Sequence, residues 1–308
     1  SGAATTSFTA NWQKVAGATN YQLYVWKAAP GGWNPVAGCS PIVAGNVGTH
    51  AVTGLPSGET YAYRVKAQNP SGLSDYPVFI SVTLLAAPPV MQPATEVTAN
   101  SYRAHWAAAT GATNYHLYVW TTNAAGSAVY EPGYYPCVPG PVTTHVVTGL
   151  QAGTMYKQTV RSVNGAGVSG NSNPYQITWT LPAIPTPLPA TATSSTSFNA
   201  NWEKVTGATN YLLNVWKWTG TWTPVTGYYP VVAGDVGTHA VTGLPAGETY
   251  AYRVKAQNPS GTTADPVFIS VTLRPNPPVA QAATAVMSGS FIANWSASGG
   301  ATNYWLDV

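Results

Sequence analysis

The chain has 308 residues, 45% hydrophobic and 12% aromatic, enough apolar side chains for several cores without cross-links or metals. Only 7% are charged, against roughly 25% in an average soluble protein, and 12 basic and 9 acidic residues leave a net charge of +3 with no run of either sign. That excludes an electrostatic footprint for nucleic acid or an acidic membrane surface, and no apolar run approaches the ~18 residues of a membrane span.

Abundant Thr, Ser, Asn and Gly, few lysines and 26 prolines point to an extracellular or cell-surface protein of bacterial or viral type. The opening residues, SGAATTSF, do not form a signal peptide, so an export or anchoring signal is expected outside this stretch. Cys39 and Cys137 fall at different places in the repeat described below, because Cys39 aligns with Tyr228 and Cys137 with Val231. A framework disulfide would recur. The two readings are free, half-buried thiols and one intramolecular bond.

Taken in order, four segments end in tryptophan: TANW, RAHW, NANW and IANW, at Trp12, Trp106, Trp202 and Trp295, spaced 94, 96 and 93 residues apart. Such a period fits one small β-sandwich per copy. Each Trp is followed by GATNY, with its Tyr at 21, 115, 211 and 304; three copies continue through TH-x-V-TGL to a Tyr at 61, 156 and 250. Alternation places Phe8, Ala10, Trp12, Tyr21, Leu23, Val25, Val52, Tyr61, Tyr63, Val65 and Ala67 on inward faces. Gly and Pro punctuate every 8 to 15 residues and no window holds a helical period, so the chain reads as all-β.

These motifs resemble the fibronectin type III domain, an immunoglobulin-like seven-stranded sandwich. The resemblance places a Trp in strand B, a Tyr opening strand C, T-G-L ending strand E, and a tyrosine corner at Tyr61, Tyr156 and Tyr250. It places N-x-x-G after strand F at Asn69, Asn164 and Asn258. It implies tandem sandwiches in a linear array: residues 1–85, without a strand A, 86–182 and 183–274, with a partial copy at 275–308. The links LLAAPPV, LPAIPTPLP and RPNPPV are stiffened by proline, which cannot donate to a ladder.

A longer period lies beneath. Gly48 to Gly72 and Gly237 to Gly261 differ only at Ser57 and Ala246, while the second and fourth copies share PPV-x-Q-x-AT-x-V, so the true unit is two copies long. The ends are expected to reflect a window on a longer array; the alternative is donation of Val279 to Val286 of one chain beside Thr5 to Trp12 of another.

His50, His145 and His239 recur facing inward at the start of strand E, too far apart to share a metal; His105 and His116 occur once each. Glu59 and Glu248 recur at the E–F corner, and Asp75 and Asp265 in the F–G loop. No nucleophile, metal or phosphate motif accompanies them, and neither catalysis nor a cofactor is expected.

The outward face is the candidate site. Between the core positions of strand C stand Tyr24 and Trp26, Tyr118 and Trp120, and Trp216. Beyond them come Trp33, Trp218 and Trp222, and the pairs Tyr134/Tyr135 and Tyr228/Tyr229. Strand F pairs with C in the resembling family, which brings Arg64, Lys66, Lys157, Arg161, Arg253 and Lys255 beside the rings. Two readings stand: the stripe is covered by its own C–E connection and a neighbouring sandwich, or it is an interaction surface. On the second, the chain is a non-catalytic structural or adhesive segment of a surface fibre that self-associates; the alternative is a glycan-directed accessory region of a secreted hydrolase. A receptor-like adhesive ectodomain is less favoured, as no RGD occurs.

Overall fold

The computed structural model describes residues 4–308, and no helix occurs among them. The first copy contributes β1 (Phe8–Asn11), β2 (Asn20–Ala29), β3 (Gly32–Pro35), β4 (Ile42–Val43), β5 (Thr49–Val52), β6 (Thr60–Asn69), β7 (Gly72–Leu73) and β8 (Ile80–Thr83). The second contributes β9 (Met91–Thr95), β10 (Tyr102–Trp106), β11 (Asn114–Thr122), β12 (Ala128–Tyr130), β13 (Thr144–Val147), β14 (Met155–Asn164), β15 (Gly167–Val168) and β16 (Gln176–Trp179). The third contributes β17 (Pro187–Thr191), β18 (Phe198–Trp202), β19 (Asn210–Trp218), β20 (Trp222–Pro224), β21 (Val231–Gly234), β22 (Thr238–Val241), β23 (Thr249–Asn258), β24 (Gly261–Thr262) and β25 (Ile269–Thr272). β26 (Ala280–Thr284) and β27 (Ile292–Trp295) follow.

Two antiparallel sheets recur. In the third copy β17-β18-β22 forms one, and β20-β19-β23-β24, with β21 on β19 and β25 on β23, forms the other. Phe198, Ala200, Trp202 and Val241 of the smaller sheet meet Tyr211, Leu213, Val215, Tyr250, Tyr252 and Val254 of the larger in one core. The inward positions expected from alternation fill the first core in the same way, with Phe8, Ala10, Leu23, Val25, Val52, Tyr61 and Tyr63 buried. The fold is therefore a tandem set of β-sandwiches.

Tyrosine hydroxyls fix the corners. Tyr61 and Tyr250 each donate to the carbonyl five residues upstream, of Pro56 and Pro245, at 3.2 Å. The hydroxyls of Tyr21, Tyr115, Tyr211 and Tyr304 accept the amides of Val15, Ala109, Val205 and Ser298 at 2.6–3.0 Å, closing the turn after each strand-B tryptophan.

Contacts gather the chain into two compact units. One holds residues up to Glu96 with Tyr102–Thr148 and Met155–Thr178; the other holds Val97–Ser101, Gly149–Thr154 and Trp179–Val308. Within the first, the carboxamide of Asn164 donates to the Leu84 carbonyl at 2.8 Å, and the backbones of Gly58 and Gly111 leave no room for a Cβ on either. Within the second, Asn258 donates to the Thr180 carbonyl at 2.7 Å, and Gly153 against Gly207 and Gly247 against Gly300 repeat the backbone contact. The N-x-x-G asparagine thus binds a proline-flanked link, and an E–F corner glycine meets the turn after the next tryptophan.

The thiols are free: Cys39 packs on the first core, and Cys137 Sγ lies 3.5 Å from His145 Nε2, with burial pushing the thiol pKa up. Tyr102 stands where the first and third copies have Phe8 and Phe198, and its hydroxyl is buried without a hydrogen-bond partner. Burial drives its pKa far upward. Tyr102→Phe removes this unmet group at nearly constant volume and is expected to stabilise the first unit by about 1 kcal/mol. Thermal denaturation checks it; a lower melting temperature would contradict it.

Candidate functional site

Register brings the outward side chains together. β2 pairs β6 with Tyr24 opposite Arg64 and Gln22 opposite Lys66; β19 pairs β23 with Asn214 opposite Arg253 and Leu212 opposite Lys255. β11 pairs β14 with His116 opposite Arg161 and Trp120 opposite Lys157. Opposed residues share a face, so Arg64, Arg161 and Arg253 reach the rings of Trp26, Tyr118 and Trp216 on the neighbouring strand.

In the first sandwich the Arg64 guanidinium carbon is 4.7 Å from the Trp26 ring centre, 3.4 Å from Tyr76 and 4.6 Å from Phe79. Lys66 Nζ lies 3.8 Å from the Tyr76 ring. Arg64 Nε is buried with no hydrogen-bond acceptor, so the rings themselves solvate the cation. Desolvation beside Tyr76 pushes the Tyr24 hydroxyl pKa up.

The third sandwich repeats the clamp, with Arg253 at 4.8 Å from Trp216 and 5.1 Å from Phe268. Asp265 pairs with Arg253 at 3.0 Å and with Lys255 at 2.5 Å. The second sandwich varies it: Arg161 lies 5.0 Å from Tyr118 and its Nε donates to Asn171 at 2.6 Å, while Lys157 lies 5.6 Å from Tyr175. An open cleft of about 380 Å³ there is lined by Tyr118, Trp120, Tyr130, Tyr135, Arg161 and Asn171.

The stripe divides into covered and open rings. Trp216 is only 6% exposed, beneath Tyr229 and Phe268, whose rings meet it edge-on at 5.1 and 4.9 Å. Tyr134 is 8% exposed, its hydroxyl accepting the Thr148 amide at 2.9 Å, and half-buried Tyr228 accepts the Thr242 amide at 3.0 Å. For these three, outward sequence position does not give an accessible surface, because the C–E connection folds back over the sheet and pins its first tyrosine inward. Trp26, Tyr24, Tyr118 and Trp120 are half-buried. Open rings are Trp33 at 41%, Trp218 at 47%, Trp222 at 42%, Tyr135 at 66% and Tyr229 at 50%. Trp218 and Trp222 meet edge to face at 5.2 Å across a hairpin.

Sequence reasoning missed the second wall of the clamp: Tyr76, Phe79, Tyr175, Phe268, Tyr130, Asn171 and the ion-pairing role of Asp265. The signal was the repeated P-V-F-I-S-V-T of Pro77–Thr83 and Pro266–Thr272, with Asp75 two residues and Asp265 one residue before it, whose Phe precedes β8 and β25.

The corner carboxylates and three of the histidines make local contacts. Glu59 pairs with Lys27 at 2.9 Å and Glu248 with Lys217 at 3.1 Å. His145 and His239 lie edge-on to Tyr134 and Tyr228 at 6.2 and 6.3 Å, and burial lowers the His145 pKa. His105 bonds Thr95 at 2.7 Å. Among the described residues no three metal-ligating side chains gather, and no helix is long and apolar enough to cross a membrane.

Residues 87–178 match the fibronectin type III domain model. With the recurrent sandwiches and tyrosine corners, this defines the class: a chain of tandem fibronectin type III domains. It is 31% identical over 221 residues, 67% of its length, to chitinase A1 of Niallia circulans. It is 31% identical over 227 residues, 70% of its length, to human fibronectin type III domain-containing protein 7, and 26% identical over 302 residues, 88% of its length, to exoglucanase B of Cellulomonas fimi. The chain spans only 28%, 27% and 25% of those three proteins.

Proposed function

We propose that this chain is a non-catalytic structural or adhesive segment of an extracellular or cell-surface protein, a part of a surface fibre or filament divided into copies at residues 85, 182 and 274, that self-associates through its aromatic-rich outer sheet faces. The observation that carries this reading is the pairing of a rigid ring-and-cation clamp with open rings beside it: Trp33 next to Phe79, and Trp218 with Trp222 next to the Trp216 clamp. Rings of this kind bury about 150–250 Å² each in a contact and lose little side-chain entropy when already packed. The charges on these faces are already satisfied, Arg64 against rings and Arg253 and Lys255 by Asp265, which lowers the desolvation cost of bringing two such faces together. No cofactor or nucleic acid enters the proposal.

A second reading, a glycan-directed accessory region, is favoured by the open cleft of Tyr118, Trp120, Tyr130 and Tyr135 with Arg161 and Asn171, and by the hydrolase names among the relatives. Sedimentation velocity over a hundredfold concentration range separates the two. Concentration-dependent assembly lost in Trp33→Ser/Trp218→Ser/Trp222→Ser supports the first. A monomer at all concentrations that binds a polysaccharide panel, and loses binding in Trp120→Ala, supports the second and overturns the first.

A further inference from the structure

One outward position differs between the three sandwiches, and a cleft lies where it differs. Arg64 stands opposite Tyr24 and Arg253 opposite Asn214; at the same register position, opposite Tyr118, the second sheet has Thr159. The clamp arginine of the first and third sheets is thus replaced by a short side chain, 5% exposed and tied through Oγ1 to Ser172 at 2.7 Å. The cleft of about 380 Å³ lies over Thr159, walled by Tyr118, Trp120, Tyr130 and Tyr135. These rings hold one another: Tyr130 is 4.2 Å from Tyr135, 5.8 Å from Trp120 and 6.4 Å from Tyr118. Walls already packed lose little entropy when a ligand enters.

A second position sets what the cations of each face meet. Four residues after the glycine of N-x-x-G stand Tyr76, Asn171 and Asp265 in turn. Tyr76 lays its ring 3.4 Å from Arg64 and 3.8 Å from Lys66, and Asp265 pairs with Arg253 and Lys255 at 3.0 and 2.5 Å. Asn171 brings no charge; its Oδ1 accepts from Arg161 Nε at 2.6 Å. Because Arg161 can only donate, the amide oxygen is spent on it and the amide nitrogen stays a donor. Among the described residues no carboxylate pairs with Arg161 or Lys157. One end of the cleft therefore offers donors alone, the terminal amino groups of Arg161 and the amide of Asn171.

We propose that this cleft binds a uronic acid residue of an acidic polysaccharide, its ring on the tyrosine and tryptophan walls and its carboxylate on Arg161 and Asn171. The proposal rests on the glycan reading of the same cleft and adds the charge of the sugar. The third sandwich shows the chemistry internally, since its own Asp265 places a carboxylate between two cations at the equivalent position. A guanidinium takes a carboxylate through paired N–H bonds, whereas a neutral sugar covering Arg161 leaves its charge desolvated and unmatched. A cationic ligand, which four rings alone would suit, meets Arg161 and Lys157 as like charges. The volume lies within the ~300–1,000 Å³ of ordinary small-ligand clefts.

Calorimetric titration of the full chain with trigalacturonate, and with its fully methyl-esterified form, is the test. The acid is expected to bind at least about tenfold more tightly than the ester, and to weaken as salt rises. Asn171→Asp, at an exposed position, gives this cleft the carboxylate that the third sandwich carries. It is expected to weaken acid binding at least about tenfold at an unchanged melting temperature, as is Arg161→Gln. Equal binding of acid and ester, or acid binding that survives Asn171→Asp, overturns the proposal and leaves the glycan reading standing. So does a neutral polysaccharide that binds, and is lost in Trp120→Ala, where trigalacturonate does not bind. A poly-aspartate peptide bound as tightly as trigalacturonate overturns it by giving the carboxylate to a protein. No binding of any saccharide overturns both readings.

Discussion

Gly153→Ala is expected to destabilise the second unit by about 3 kcal/mol or more, whereas Gly149→Ala, four residues earlier on the same corner, costs about 1 kcal/mol. Both glycines are left-handed, at φ 62° and 77°, so an L side chain is strained at either. They differ in space. A Cβ on Gly149 meets nothing within 4 Å, but one on Gly153 overlaps the backbone carbonyl of Thr206, which cannot rotate away as a flexible side chain could. Urea denaturation of the two variants isolates the overlap. Amide exchange at Gly153, whose N–H donates to the Leu181 carbonyl at 2.9 Å, reports whether the corner has moved. Equal losses for the two variants would show that the backbone contact contributes nothing.

Trp216→Ala is expected to destabilise the same unit by about 3–5 kcal/mol, although its position on β19 faces away from the sandwich core. The ring sits under Tyr229, Phe268 and Arg253, so its removal opens a cavity and takes away one of the two rings at the Arg253 guanidinium, whose buried Nε has no acceptor, while Phe268 and Asp265 remain beside it. Trp218→Ala and Trp222→Ala on the adjacent hairpin remove exposed rings and are expected to stay within about 0.5 kcal/mol of the parent. Chemical denaturation of the three variants checks the contrast. A Trp216 variant as stable as the Trp218 variant would mean that the clamp is surface decoration.

The sandwiches were legible because alternation and the recurring Trp, Tyr and Gly positions state which side chains face inward. Phe8, Leu23, Val52 and Tyr61 are buried as period two requires. The pairing of Arg64 with the rings was legible from the C–F strand register. What was not legible was coverage. Whether Trp216 or Trp218 is accessible depends on where Phe268 and Tyr229 fold, and those residues lie 52 and 13 positions from Trp216 in segments without strict alternation. Tyr134 and Tyr135 are neighbours in sequence, yet one hydroxyl is tied to the Thr148 amide and the other ring lies on the surface, because the C–E connection turns between them. The close glycine contacts were equally hidden, since nothing in a Leu-x-x-Gly corner states that a second backbone will approach it.

Electron microscopy of the full chain at high concentration, beside its Trp33→Ser/Trp218→Ser/Trp222→Ser variant, tests the assembly reading most directly. Ordered filaments or lateral bundles from the parent, dispersed in the equally folded variant, are the predicted result. Well-separated single particles from both would contradict it.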